Sequence, residues 1–126
     1  MRIINSQIIA SKMAVDSKWK ICLTLWLNVF NSPNLSSLSY DEIRALWKSA
    51  GGRKVERVTP SSLLKHHQKG PLDIYVFHAR AADLYIVVWC SLKSQSFFVH
   101  DVYSCDKFKL WCERVLKKQA RFCSSI

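Results

Sequence analysis

Seven cations are the residues in this sequence best suited to chemistry. Arg44, Lys48, Arg53, Lys54, Arg57, Lys65 and Lys69 share one stretch in which Glu56 is the sole acid. Guanidinium and ammonium groups at this density suit phosphate binding, because each neutralises a backbone charge and releases a condensed counterion. The whole chain leans the same way, with 19 Lys plus Arg against 9 Asp plus Glu and a net charge of +10. A polyanion is therefore the first partner to expect, either nucleic acid or an anionic membrane surface. The plainer reading is a solvated face that keeps the protein soluble.

Other reactive side chains form no recognisable set. The five cysteines (Cys22, Cys90, Cys105, Cys112 and Cys123) are odd in number and include no CxxC pair. Neither a disulfide scaffold nor a zinc ribbon is expected from them. His66, His67, His78 and His100 lack metal-ligand spacing, so no metal site is assigned. Reduced thiols point to an intracellular compartment, cytoplasm or nucleus. The chain has no phosphate loop, dinucleotide fingerprint, HExxH or nucleophile elbow. Five tryptophans are expected to pack in a core rather than to stack bases.

A length of 126 residues is that of one domain. Residues 1–15 read as a loosely attached N-terminal extension, and 16–126 as a single compact domain. Asp16 or Ser17 caps a predicted helix through Phe30, with Trp19, Leu23, Trp26 and Phe30 at helical intervals. Its apolar run from Ile21 is too short to span a bilayer. It also begins too late, and follows Asp16 too closely, to be a signal peptide.

Ser39 and Glu42 fit a capping box for a second helix, with Ile43, Leu46, Trp47 and Ala50 as its apolar stripe and Gly51-Gly52 as its stop. Residues 54–58 read as a charged edge strand, and Thr59-Pro60 opens a helical turn toward Gly70. Two strands apolar on both faces follow, at 72–78 and 84–92, then a third at 96–103. A helix over 105–118 and a short strand after Ala120 complete the order. The expected fold is α/β or α+β, a mixed central sheet flanked by helices.

The order of these elements resembles the archaeal-type Holliday-junction resolvases and, more broadly, nucleases of the restriction-endonuclease fold. The resemblance covers about residues 40–123: YDEIRALWKSAG (Tyr40–Gly51), then Val55 to Ser62, GPLDI (Gly70–Ile74) and Asp83 to Lys93, closed by Val102-Tyr103 leading into the helix over 105–118. It implies catalytic roles for Glu42, Asp73 and Lys93. Two carboxylates would hold Mg²⁺ for water activation while the lysine assists the developing charge. Ser91 stands where the family has its second carboxylate, and a hydroxyl is a poor ligand for that ion. Asp83 or Asp101 would have to compensate. A second nuclease chemistry, metal-independent RNA cleavage by Tyr75 and His78, conflicts with their spacing, because residues three apart on a strand face opposite ways.

These readings converge on a basic nucleic-acid-binding protein of nuclease-like fold whose cleavage chemistry is lost. Mg²⁺ is expected only if the nuclease is active, and no other cofactor. A homodimer is implied by the resemblance alone. The alternative is a small regulatory or viral-accessory-type protein that binds another protein, for which an exposed patch of Phe97, Phe98 and Tyr103 would speak. No membrane span is expected.

Overall fold

The computed structural model describes residues 1–32, 35, 37–58, 73–80 and 82–116. Five strands form one mixed sheet: β1 (Arg2–Ile4), β2 (Lys54–Val58), β3 (Asp73–His78), β4 (Tyr85–Ser91) and β5 (Ser96–Tyr103). Their spatial order is β1-β5-β4-β3-β2. Strands β2 to β5 run antiparallel to their neighbours, and β1 joins parallel to β5. Three helices, α1 (Ser6–Met13), α2 (Ser17–Phe30) and α3 (Tyr40–Ser49), share one core with one sheet face. The other face packs against α4 (Cys105–Trp111), which widens into a π-helical turn over Cys112–Leu116. The protein is thus mixed α/β with a covered central sheet.

That double cover explains the apolar composition of the central strands. On β3, Tyr75 and Phe77 face the three helices while Ile74 and Val76 face α4. On β4, Ile86, Val88 and Cys90 alternate with Tyr85 and Val87 in the same sense. The first face is held by an aromatic cluster. Phe77 meets the rings of Trp26, Phe30, Trp47 and Phe97 at centroid distances of 5.5, 5.2, 6.0 and 5.6 Å. A β-bulge shifts the β4–β5 register between Val87↔Asp101 and Val88↔Val99. His100 is the extra residue, so Phe97, Val99 and Val102 all reach the same core despite an uneven spacing.

Local chemistry sets the helix ends. Asp16 caps α2, its carboxylate accepting from the N–H groups of Lys18 and Trp19 at 2.6 and 3.1 Å. The expected capping box is present on α3: the Ser39 hydroxyl accepts from Glu42 N–H, and the Glu42 carboxylate accepts from Ser39 N–H. Gly51 then adopts φ 106°, and the N–H groups of Gly51 and Gly52 donate to the carbonyls of Lys48 and Trp47. This paired closure lets the chain leave the helix with its last carbonyls satisfied.

Gly52 is also a packing requirement. A Cβ there would lie 2.1 Å from the Trp47 indole, whose Nε1 donates to the His78 carbonyl at 2.9 Å. Gly52→Ala is expected to push the indole off that carbonyl and destabilise the fold by about 2 kcal/mol, read from urea unfolding.

The N-terminal segment departs from expectation. Residues 2–4 form an edge strand on β5, pairing Arg2, Ile3 and Ile4 with Ser96, Phe97 and Phe98. Ile9 of α1 is fully buried in the main core, and Lys12 pairs with Asp101 of β5 at 3.5 Å. Segment 1–13 is therefore part of the sheet and its cover, not a loose extension. The helical turn expected after Thr59 and the strand expected after Ala120 lie outside the described residues, as do 117–118 of the last predicted helix.

Candidate nucleic-acid interface

The C-terminal half of α3 turns through Gly51-Gly52 directly into β2, so their cations are neighbours in space as well as in sequence. Tyr40 begins α3, and its hydroxyl donates to the Val55 carbonyl of β2 at 3.1 Å. The guanidinium carbons of Arg57 and Arg44 lie 4.4 and 5.5 Å from the Tyr40 ring centroid. Both arginines are exposed. Cation–π attraction positions each head group over the ring. Burial raises the Tyr40 pKa, and the two guanidinium charges pull against that rise. Lys48 continues the same helix face four residues beyond Arg44.

Arg44 also meets Asp41 at 3.6 Å, but Asp41 is 88% exposed and such a surface pair is worth little. The two guanidinium groups sit within about 10 Å of one another, no farther than a Debye length at ~0.1 M salt. Two like charges held at that range favour an anion between or across them.

The remaining cations separate. Lys54 pairs in register with His78 and its ammonium meets Glu56 at 2.9 Å. Strand alternation sends Lys54 and Glu56 to the sheet face opposite Arg57. Lys54 is therefore not part of the Tyr40 surface. Arg53 lies at the other end of β2, where it borders a groove formed by the β3–β4 loop and the start of α2. Lys65 and Lys69 lie outside the described residues.

The residues implied by the nuclease resemblance occupy one end of the sheet. Asp73 opens β3 opposite Cys90, Lys93 lies exposed in the β4–β5 turn, and Glu42 sits in the first turn of α3. Gln95 links the last two elements, its side chain bonding to both the N–H and the carbonyl of Leu38 at 2.8 and 3.1 Å. The Glu42 carboxylate is occupied by Ser39 N–H. The Ser91 hydroxyl accepts from Ser94 N–H at 3.3 Å, closing the turn. Neither candidate replacement acid joins them. Both carboxylate oxygens of Asp83 are 3.1 Å from Cys105 N–H at the start of α4, while Asp101 pairs with Lys12 and accepts from Val102 N–H. Among the described residues, no three His, Cys, Asp or Glu side chains are grouped to hold a metal ion.

Tyr75 and His78 face opposite sides of the sheet. Tyr75 lies in the aromatic core with its ring 5.3 Å from Tyr40, and burial raises its pKa above the usual phenol range. The same core pushes the Cys90 thiol up to about 12, leaving it un-ionised at neutral pH. His78 packs on Tyr85 at 4.4 Å across the sheet. The patch of Phe97, Phe98 and Tyr103 does not form, because Phe97 is fully buried among the rings of the helix-side core. Trp26, Trp47 and Trp111 are buried, as core packing requires.

No described helix is long and apolar enough to cross a membrane. No protein family, curated protein or solved structure matches this chain. Its chemistry therefore rests on its own side chains.

Proposed function

We propose that this protein binds nucleic acid through the α3–β2 face, with Arg44, Lys48 and Arg57 contacting backbone phosphates, on a nuclease-like arrangement retained for binding rather than cleavage. The observation that carries this reading is the convergence of Arg44 and Arg57, from two different elements, on the Tyr40 ring. Surface cations kept soluble by mutual repulsion would spread apart; these are gathered by a shared aromatic platform. Loss of cleavage is supported by the acids. Glu42 is engaged in its capping box, a serine stands at position 91, and Asp83 and Asp101 serve other elements.

The test is fluorescence anisotropy with labelled single-stranded DNA, duplex DNA and RNA. Three phosphate contacts predict a roughly 40-fold loss of affinity between about 50 and 200 mM salt. The double variant R44E/R57E should bind at least about 100-fold more weakly and lose about two units of salt slope. Absence of binding to every probe, or binding indifferent to salt and to this variant, overturns the proposal. Incubation of the same probes with Mg²⁺, Mn²⁺ or EDTA should leave all of them intact. Cleavage that Asp73→Ala abolishes would restore the nuclease.

A further inference from the structure

On the sheet face covered by α4, four aromatic rings stand in a layered series. Tyr85 stacks on Phe108 at 4.6 Å and 4°, Phe108 on Trp111 at 6.0 Å and 28°, and Trp111 on Tyr103 at 5.9 Å and 28°. The series runs outward, from Tyr85 and Phe108 in the core to Tyr103, which is only partly buried. Trp111 and Tyr103 line a groove of about 310 Å³, at the small end of the range for organic ligands. The Tyr103 hydroxyl lies 3.1 Å from His100 Nε2, a bond that fixes the ring. Burial, with Asp101 nearby, pushes its pKa up to about 12, so the phenol is neutral at physiological pH.

The groove is also electropositive. Lys107 and Leu110 of α4 and Arg114 of the π-helical turn complete its lining, and all three are exposed. Lys107 and Arg114 are seven residues apart, two helical turns or about 10 Å. Neither forms an ion pair with a described acid. Asp106 and Glu113, the acids of the same helix and turn, stand outside the lining. Leu110, 48% exposed, leaves apolar surface open between the two cations.

An aromatic edge flanked by unpaired cations matches the needs of a single nucleic-acid strand, whose bases stack on rings while its phosphates meet positive charge. A duplex keeps its bases paired and stacked, whereas a single strand can splay one out.

We propose that this groove takes one unpaired base of a single strand. The base stacks on Tyr103 against Leu110 as the next layer of the series, and Lys107 and Arg114 hold the adjoining phosphates. The inference rests on the reading that the chain binds nucleic acid, and adds to it a preference for unpaired strands. Tyr40, with Arg44 and Arg57, belongs to the opposite sheet face, so the two surfaces are separable by mutation.

Fluorescence anisotropy with labelled oligo-dT, an abasic oligomer of the same length and a duplex tests it. The parent protein should bind oligo-dT about tenfold more tightly than the abasic oligomer, because stacking supplies roughly that factor per base. Tyr103→Leu should erase the difference, and Tyr103→Phe should keep it. The double variant K107E/R114E should weaken oligo-dT by at least about tenfold and the duplex by less than about threefold. K20E/K109E, an equal change in net charge at exposed positions outside the groove, should cost oligo-dT less than about threefold. Unfolding curves matching the parent protein would show that the variants fold. Equal binding of oligo-dT and the abasic oligomer, or full oligo-dT affinity in K107E/R114E, overturns the proposal, and the second holds even if Tyr103→Leu fails to fold. Either result with duplex binding that R44E/R57E still weakens removes this groove alone. Absence of binding to every probe removes the α3–β2 reading as well.

Discussion

Phe77→Ala is expected to lower the unfolding free energy by about 3–5 kcal/mol. Phe77 is fully buried and its ring touches four other aromatic rings contributed by α2, α3 and β5. Truncation removes apolar area from water and opens a cavity, and the rings around it are anchored from different directions. Trp47 cannot fill the space without leaving the His78 carbonyl, and Trp26 also packs against Phe97 at 5.7 Å. Small domains have about 5–15 kcal/mol of total stability, so the loss would be a large share of it. Urea unfolding reads the change, with Phe77→Leu as the volume-sparing comparison. A loss below about 1 kcal/mol for the alanine would show that this ring is not the centre of the core.

The second large effect is a dependence of stability on pH that centres on His78. Burial, together with Lys54 and Arg53, holds its pKa down to about 3, against 6.5 when exposed. Below pH 6.5 the unfolded chain takes up a proton that the folded chain refuses. Stability is therefore fully present above pH 6.5 and falls as the pH drops toward 3. The slope approaches about 1.4 kcal/mol per pH unit, and the total is on the order of 4 kcal/mol. Carboxylates titrate in the lower part of this window, so the wild-type curve alone does not isolate the histidine. His78→Leu does. It should flatten the curve between pH 6.5 and 4 and raise stability at neutral pH by removing two buried nitrogens without partners. Parallel curves for the two proteins would mean that His78 charges freely in the folded state.

The parts of the fold that were legible in the sequence are those specified by neighbours in the chain. Strands 54–58 and 96–103 and the helix from Ser17 to Phe30 have the expected bounds, because turn residues and caps flank them. Ser39, Glu42, Gly51 and Gly52 define α3 through contacts no more than five residues apart. The N-terminal segment was misread because its partners are distant. Strand β1 has three residues, Asn5 caps α1 without a side-chain bond, and Ile9 is the one buried residue of that helix. Nothing local distinguishes such a segment from a tail.

The site divides along the same line. Arg44, Lys48 and Arg57 were visible as a dense run, but the run included Lys54, which strand alternation alone assigns to the other face. Counting parity along 54–57 would have separated it. Lys18 and Arg80 carried no such mark. They border the same groove as Arg53 only because the β3–β4 loop lies beside the start of α2, elements some 60 residues apart in sequence.

The parallel pairing of β1 with β5 also bears on how the chain is made. Phe97, the partner of Ile3 on β5, leaves the ribosome 94 residues after it. Until then the first strand has no edge to join, and α1 has no sheet to cover. The meander from β2 to β5 can assemble from successive hairpins, whose loop closures are short. The N-terminal strand must wait for that work to finish. Among these five strands, the earliest made is thus the one whose edge is completed last.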